Sequence, residues 1–127
     1  MSLASLKNME SIAFAADLIR QSKHTVILTG AGLSTPSGIP DFRSSGTGLW
    51  SKDEPLEVAS LSTFRTKPSL FFEWFRPLAG QMFEAKPNPA HQALADLEHQ
   101  GYVKAIITQN IDALHQKAGS KTVIEMH

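Results

Sequence analysis

The chain has 127 residues, 42% hydrophobic and 19% charged, with twelve basic residues (Lys plus Arg) against twelve acidic (Asp plus Glu) and no cysteine. That composition suits a soluble globular chain able to form one small domain or part of a larger one, and with no cysteine neither a disulfide nor a thiolate metal site can form within it. No basic cluster interleaved with aromatics marks a nucleic-acid binder and no apolar stretch approaches membrane-spanning length, so direct nucleic-acid and membrane partners are set aside and a cytoplasmic location is expected.

Met9, Ile12, Ala13, Ala16 and Ile19 recur at three- and four-residue steps between Glu10, Asp17, Arg20 and Gln21. This spacing predicts an amphipathic helix over residues 9–22. Val26 to Thr29 is a short β-branched and apolar run, the pattern of a parallel strand buried on both faces, and it ends at Gly30. A loop rich in Gly, Ser, Thr and Pro runs from there to Trp50, and residues 51–57 read as further loop or one short turn. Phe71, Phe72, Trp74 and Phe75 follow Pro68 and precede Pro77, which predicts helix, break, helix, because an internal proline removes a donor and clashes with the preceding turn. The aromatic cluster reads as core, or as the wall of an apolar channel.

Asn88-Pro89 is a helix start and Gly101 a stop. Val103 to Thr108 is a second strand, residues 110–119 hold a short helix closed by Gly119, and Thr122 to Met126 is a third strand. The order of elements predicts an α/β fold, a parallel sheet with helices on both faces.

Gly30-Ala31-Gly32 sits where a strand gives way to a loop, where glycines let backbone N–H groups approach a pyrophosphate. Thr35 occupies the place of the third glycine of the usual dinucleotide fingerprint, so an ordinary glycine turn fits equally well. Ser34, Thr35, Ser37, Asp41, Arg43 and Ser44 add donors and acceptors, while Ile39, Pro36, Pro40 and Phe42 would stiffen the loop. A second polar group, Gln109-Asn110-Ile111-Asp112, follows the second strand, and His127 follows the third. The carboxyl ends of parallel strands share one edge, so these groups converge on one crevice. Helix capping remains open for Asn110 and Asp112, and an ordinary exposed histidine for His127. His24 precedes the first strand and reads as a surface residue, and His91 and His99, eight residues apart on one helix, have no acidic partner at metal-ligand spacing.

With these residues in place the chain resembles the sirtuin family. "GAGLSTPSGIPDFRS" is similar to its first signature, "TQNID" to its second, "PNPAHQAL" to its helix opening, and "EMH" ends on the histidine that family uses as a base. The resemblance implies an NAD-dependent protein-lysine deacetylase on a Rossmann-like domain, of which residues 1–127 would form the amino-terminal part. It also implies a zinc module in the full-length parent, whose cysteines this chain lacks. NAD as co-substrate would be held by Gly30, Ala31, Gly32, Ser34, Asp41, Phe42, Arg43, Trp50, Gln109, Asn110, Ile111 and Asp112. His127 would act as the catalytic base on a ribose hydroxyl, with Asn110 ordering water or sugar beside it. Acetylated-lysine protein or peptide would be the partner, and free lysine, nicotinamide and acetylated ADP-ribose the products.

Family members that favour succinyl-lysine resemble Tyr-x-x-Arg where this chain has Phe75 and Leu78, which favours acetyl or a longer apolar acyl group. Alternative expectations are an NAD glycohydrolase or ADP-ribosyltransferase on the same site, or a truncated NAD-binding module without catalysis, and the fragment alone is expected to be inactive.

Overall fold

Three runs rich in β-branched residues form one parallel sheet, β1 (Thr25–Thr29), β2 (Val103–Thr108) and β3 (Val123–Glu125), in the order β1-β2-β3. The structure is a computed structural model that describes residues 3–41 and 58–127, with side chains from residue 9 onward. Five helices accompany the strands among these residues: α1 (Leu3–Gln21), α2 (Leu61–Thr66), α3 (Pro68–Glu84), α4 (Pro89–His99) and α5 (Leu114–Ala118). The fold is α/β, and the strands fall where the apolar runs predict them.

Register decides which side chains share a face. Ile27, Ile106 and Val123 lie side by side across the sheet, and Leu28, Ile107 and Ile124 form the next row on the opposite face. The first row is closed, Ile106 being fully buried. In the second, Leu28 and Ile124 are 65% and 53% exposed. This corrects the expectation that the first strand is buried on both faces. An apolar run reads the same whether or not a layer of side chains covers each face, and among the described residues one face stays open. The first helix differs in the same way. It starts at Leu3 rather than near Met9, and of its predicted apolar stripe only Ala16 and Ile19 are partly covered.

Helix α3 runs unbroken from Pro68 to Glu84 through Pro77, which corrects the expected break. Pro77 and Glu73, whose carbonyl loses its i→i+4 donor, are both on the exposed side, where water can replace the missing bond. The aromatic side chains of α3 interlock, with Phe71 stacked on Phe75 at 5.7 Å and edge-on to Phe64 of α2 at 5.2 Å. Helix α4 begins as expected. Asn88 Oδ1 accepts from the N–H groups of Ala90 (3.0 Å) and His91 (3.4 Å). It ends in a Schellman motif, with Gly101 at φ 81 and the Tyr102 N–H bonded to the Leu97 carbonyl at 3.0 Å.

The core has two parts. Val103, Ile106 and Ala95 seal β2 against α4. Ile39, Leu78 and Leu114 join the loop after β1, α3 and α5, and Trp74, Phe75, Met82 and Ala85 pack against them. Full burial of side chains such as Ile106 and Leu114 contributes roughly 1.5–3 kcal/mol each.

Candidate active site

The segment after β1 expected as irregular loop begins as two successive 3-10 turns, Ala31–Leu33 and Thr35–Ser37. Gly30 opens the first with extended backbone, and Gly38 closes the second at φ 85, where a side chain would strain the turn. Asn88 holds this segment from outside, its Nδ2 donating to the Leu33 carbonyl (2.8 Å) and to Ser37 Oγ (3.0 Å). One asparagine thus caps α4 and anchors the loop.

Ser34 is the centre of the polar network. It is 1% exposed, and its Oγ donates to Asp112 Oδ2 at 2.6 Å while accepting from Asn110 Nδ2 at 3.1 Å. The second Asn110 amide hydrogen reaches the Gly30 carbonyl, also at 3.1 Å. Helix capping is therefore set aside for Asn110, whose side chain binds the loop. Asp112 does both, since its Oδ1 accepts the Leu114 N–H at 2.9 Å. Helix α5 accordingly starts at Leu114, later than the sequence suggests, after Ala113 at φ 56. The backbone carries the same register, with the Gln109 N–H on the Thr29 carbonyl (3.0 Å) and the Met126 N–H on the Thr108 carbonyl (2.9 Å).

These groups open onto a pocket of about 440 Å³. Ala31, Ser34, Gln109, Asn110, Ile111, Asp112 and His127 line its polar side. Ile39, Pro40, Phe71, Trp74, Phe75, Leu78 and Met82 line the other, so the aromatic cluster is core and pocket wall at once. Gly30 and Gly32 lie in the turn behind Ala31, and a Cβ built on either would meet nothing within 4 Å. Asp41 is half-buried and stands just beyond Pro40. Phe42, Arg43, Trp50 and the segment 51–57 lie outside the described residues.

A pair of histidines that no local sequence pattern singles out lies beneath this network. His91 and His115 are 0% and 1% exposed, with ring centroids 5.0 Å apart. His115 Nε2 meets Thr29 Oγ1 at 2.9 Å, and His91 Nδ1 accepts the Asn88 N–H at 3.4 Å. Burial pushes both imidazoles below their ordinary pKa. At His115 the neighbouring His91 adds to this, and the Asp112 carboxylate opposes it at both rings. Neutral rings are thereby favoured. Their mark in the sequence is positional: His91 stands at the third position of a capped helix, and His115 three residues after Asp112.

The Sir2 family profile matches residues 30–127. The chain is 52% identical over 118 residues to the NAD-dependent protein deacylase 2 of Archaeoglobus fulgidus, spanning 93% of this chain and 46% of that protein. It is 51% identical over 113 residues to the NAD-dependent protein deacetylase 2 of Caldanaerobacter subterraneus, spanning 89% of this chain and 45% of that one. Among solved structures, a Sir2 protein with a p53 peptide and NAD+ matches with a TM-score of 0.78 at 49% identity, over 88% of this chain and 43% of the other. Sir2Tm bound to a propionylated peptide matches with a TM-score of 0.78 at 46% identity, over 91% and 44%. The chain thus spans less than half the length of these relatives. With the ordered motifs, the parallel sheet and the convergent pocket agreeing with these matches, the chain belongs to the Sir2 family.

Proposed function

We propose that the protein is an NAD-dependent protein-lysine deacylase acting on acetyl-lysine or on lysine with a small apolar acyl group. The observation that carries this reading is the convergence of Ala31, Ser34, Asn110, Asp112 and His127, from three strand ends, on one pocket with an apolar opposite wall. The names of the relatives and the NAD and acyl-peptide complexes of the neighbouring structures support it.

The residues present fit NAD. The open space before Gly30 and Gly32 admits a phosphate close to the backbone, and Asp112 retains a lone pair on each oxygen beyond its bonds to Ser34 and Leu114. Gly30, Ala31, Gly32, Ser34 and Asp41 would hold the phosphates and ribose with Gln109 and Asn110. Ile111 and Asp112 would receive the carboxamide. Phe42, Arg43 and Trp50 join this set on sequence resemblance alone. When bound, NAD supplies a ribose carbon from which nicotinamide departs as the acyl oxygen attacks. His127 would take the proton of a ribose hydroxyl on a ring nitrogen, since an imidazole nitrogen with a free lone pair can act as a general base. Ile39, Phe75 and Leu78 would keep water from the acyl group. Zinc finds no such fit, since the chain has no cysteine and no group of three His, Asp or Glu among the described residues could hold a metal.

The partial Rossmann-like catalytic domain over residues 1–127 and the cytoplasmic location belong to the same proposal. No described helix is long and apolar enough to cross a membrane. The test is stoichiometric: nicotinamide release by the full protein should require an acyl-lysine peptide and equal the peptide deacylated. Nicotinamide release that is indifferent to peptide would overturn the reading.

A further inference from the structure

Helices α3 and α4 end differently. Helix α4 closes on Gly101 in the left-handed region, and its last carbonyls find backbone partners. Helix α3 stops at Ala85 in extended backbone, where the Ala85 N–H satisfies only the Gln81 carbonyl at 2.9 Å. The carbonyls beyond it need donors from elsewhere.

Those donors come from one side chain, 32 or more residues away. Lys117, on α5, places its Nζ 3.2 Å from the Met82 carbonyl, 3.4 Å from that of Phe83 and 3.3 Å from that of Ala85. An ammonium has three donors, and three carbonyls receive them. Lys117 has no carboxylate partner among the described residues, and its charge sits at the negative end of the helix dipole. Apolar packing cannot do this work at Phe83, which is 84% exposed. Met82, the next residue back, lines the pocket beside Leu78. Helix α5 itself follows directly from Asp112, so the ammonium bridges the two walls of the pocket.

We propose that Lys117 is a positioning residue that clamps the last turn of α3 and so fixes the apolar wall of the pocket against its polar wall. The substrate consequence rests on the deacylase reading. The apolar wall faces the acyl group, whereas Ser34, Asn110 and Asp112 hold the cofactor side through their own bonds. Loss of the ammonium therefore weakens use of the acyl peptide and leaves use of NAD intact.

The experiment compares the full protein with its Lys117→Met and Lys117→Arg variants, by hydrogen exchange and by steady-state kinetics with acetyl- and butyryl-lysine peptides. Lys117 is exposed, so folding is expected to survive both changes. Lys117→Met should speed exchange over residues 81–85 and raise KM for the acyl peptides roughly two- to fivefold, with KM for NAD unchanged. Lys117→Arg, which keeps a cation over the same carbonyls, should restore both. Unchanged exchange in Lys117→Met overturns the clamp. So does a loss shared equally by kcat, peptide KM and NAD KM, which a merely structural role would give. If the parent protein shows no NAD-dependent deacylation, the deacylase reading fails while the exchange result still decides the clamp.

Discussion

The Ser34 hydroxyl oxygen carries two of the bonds that join the loop after β1 to the segment after β2, one to Asp112 and one from Asn110. The Ser34→Ala substitution removes that atom and little else. At 2.6 Å between buried partners, the hydroxyl-to-carboxylate bond falls in the short, charge-assisted class. Bonds of that class contribute about 1.5–3 kcal/mol net, against 0.5–1.5 for neutral pairs. Asn110 Nδ2 would lose its second acceptor but keep the Gly30 carbonyl, so most of the cost stays at Asp112. A double-mutant cycle of Ser34→Ala with Asp112→Asn, followed by urea unfolding, should give a coupling of about 2 kcal/mol. The same single variants should bind NAD more weakly. A coupling below about 0.5 kcal/mol would mean that Ser34 and Asp112 act independently, since contacts that add independently fall in that range.

Three other outcomes follow from the same geometry. The Gly32→Ala substitution should leave the unfolding midpoint nearly unchanged, because the added Cβ meets nothing in the chain, yet weaken NAD binding about tenfold or more by filling the space a phosphate would enter; calorimetry and thermal melting separate the two effects. His91 and His115 have folded pKa values lowered from 6.5, so the unfolded chain binds more protons between the folded and unfolded values. Their contribution to stability is complete above about pH 6.5 and is lost as pH falls through the folded values, and urea titrations should show a shallower slope in His115→Gln; an unchanged slope would contradict the burial argument. Acetyl-lysine peptide should be turned over faster than succinyl-lysine peptide, because Phe75 and Leu78 line the pocket and no lysine or arginine is among the described lining residues. Succinate release equal to acetate release would count against this.

Much of the fold is legible from short-range rules. "VKAIIT" gives β2 at its observed bounds, and Asn88-Pro89 with Gly101 brackets α4, because local capping and turn chemistry settle those ends. Pro77 misleads, since the rule that proline breaks helices gives way where the lost bond faces water. Val26 and Leu28 mislead for another reason: apolar spacing reports a capacity for burial and not the presence of a covering layer. In the site, the glycine turn, "TQNID" and His127 are legible as polar groups at strand ends, and parallel topology brings them together. The links that fix them are not. Ser34 with Asp112, Asn88 with Leu33, His91 with His115 and Lys117 with Met82 join residues 24 to 78 positions apart in the sequence, where no local pattern carries a signal.

Under the proposed deacylase function, His127, which lines the pocket, serves acyl transfer from lysine to ADP-ribose. Mass spectrometry of the products formed from NAD and an acetyl-lysine peptide, by the full protein and by its His127→Ala variant, tests it most directly. Acetylated ADP-ribose, nicotinamide and free lysine peptide should appear in equal amounts from the parent, and almost none from the variant. Free ADP-ribose without peptide deacylation, or undiminished turnover by His127→Ala, would contradict it.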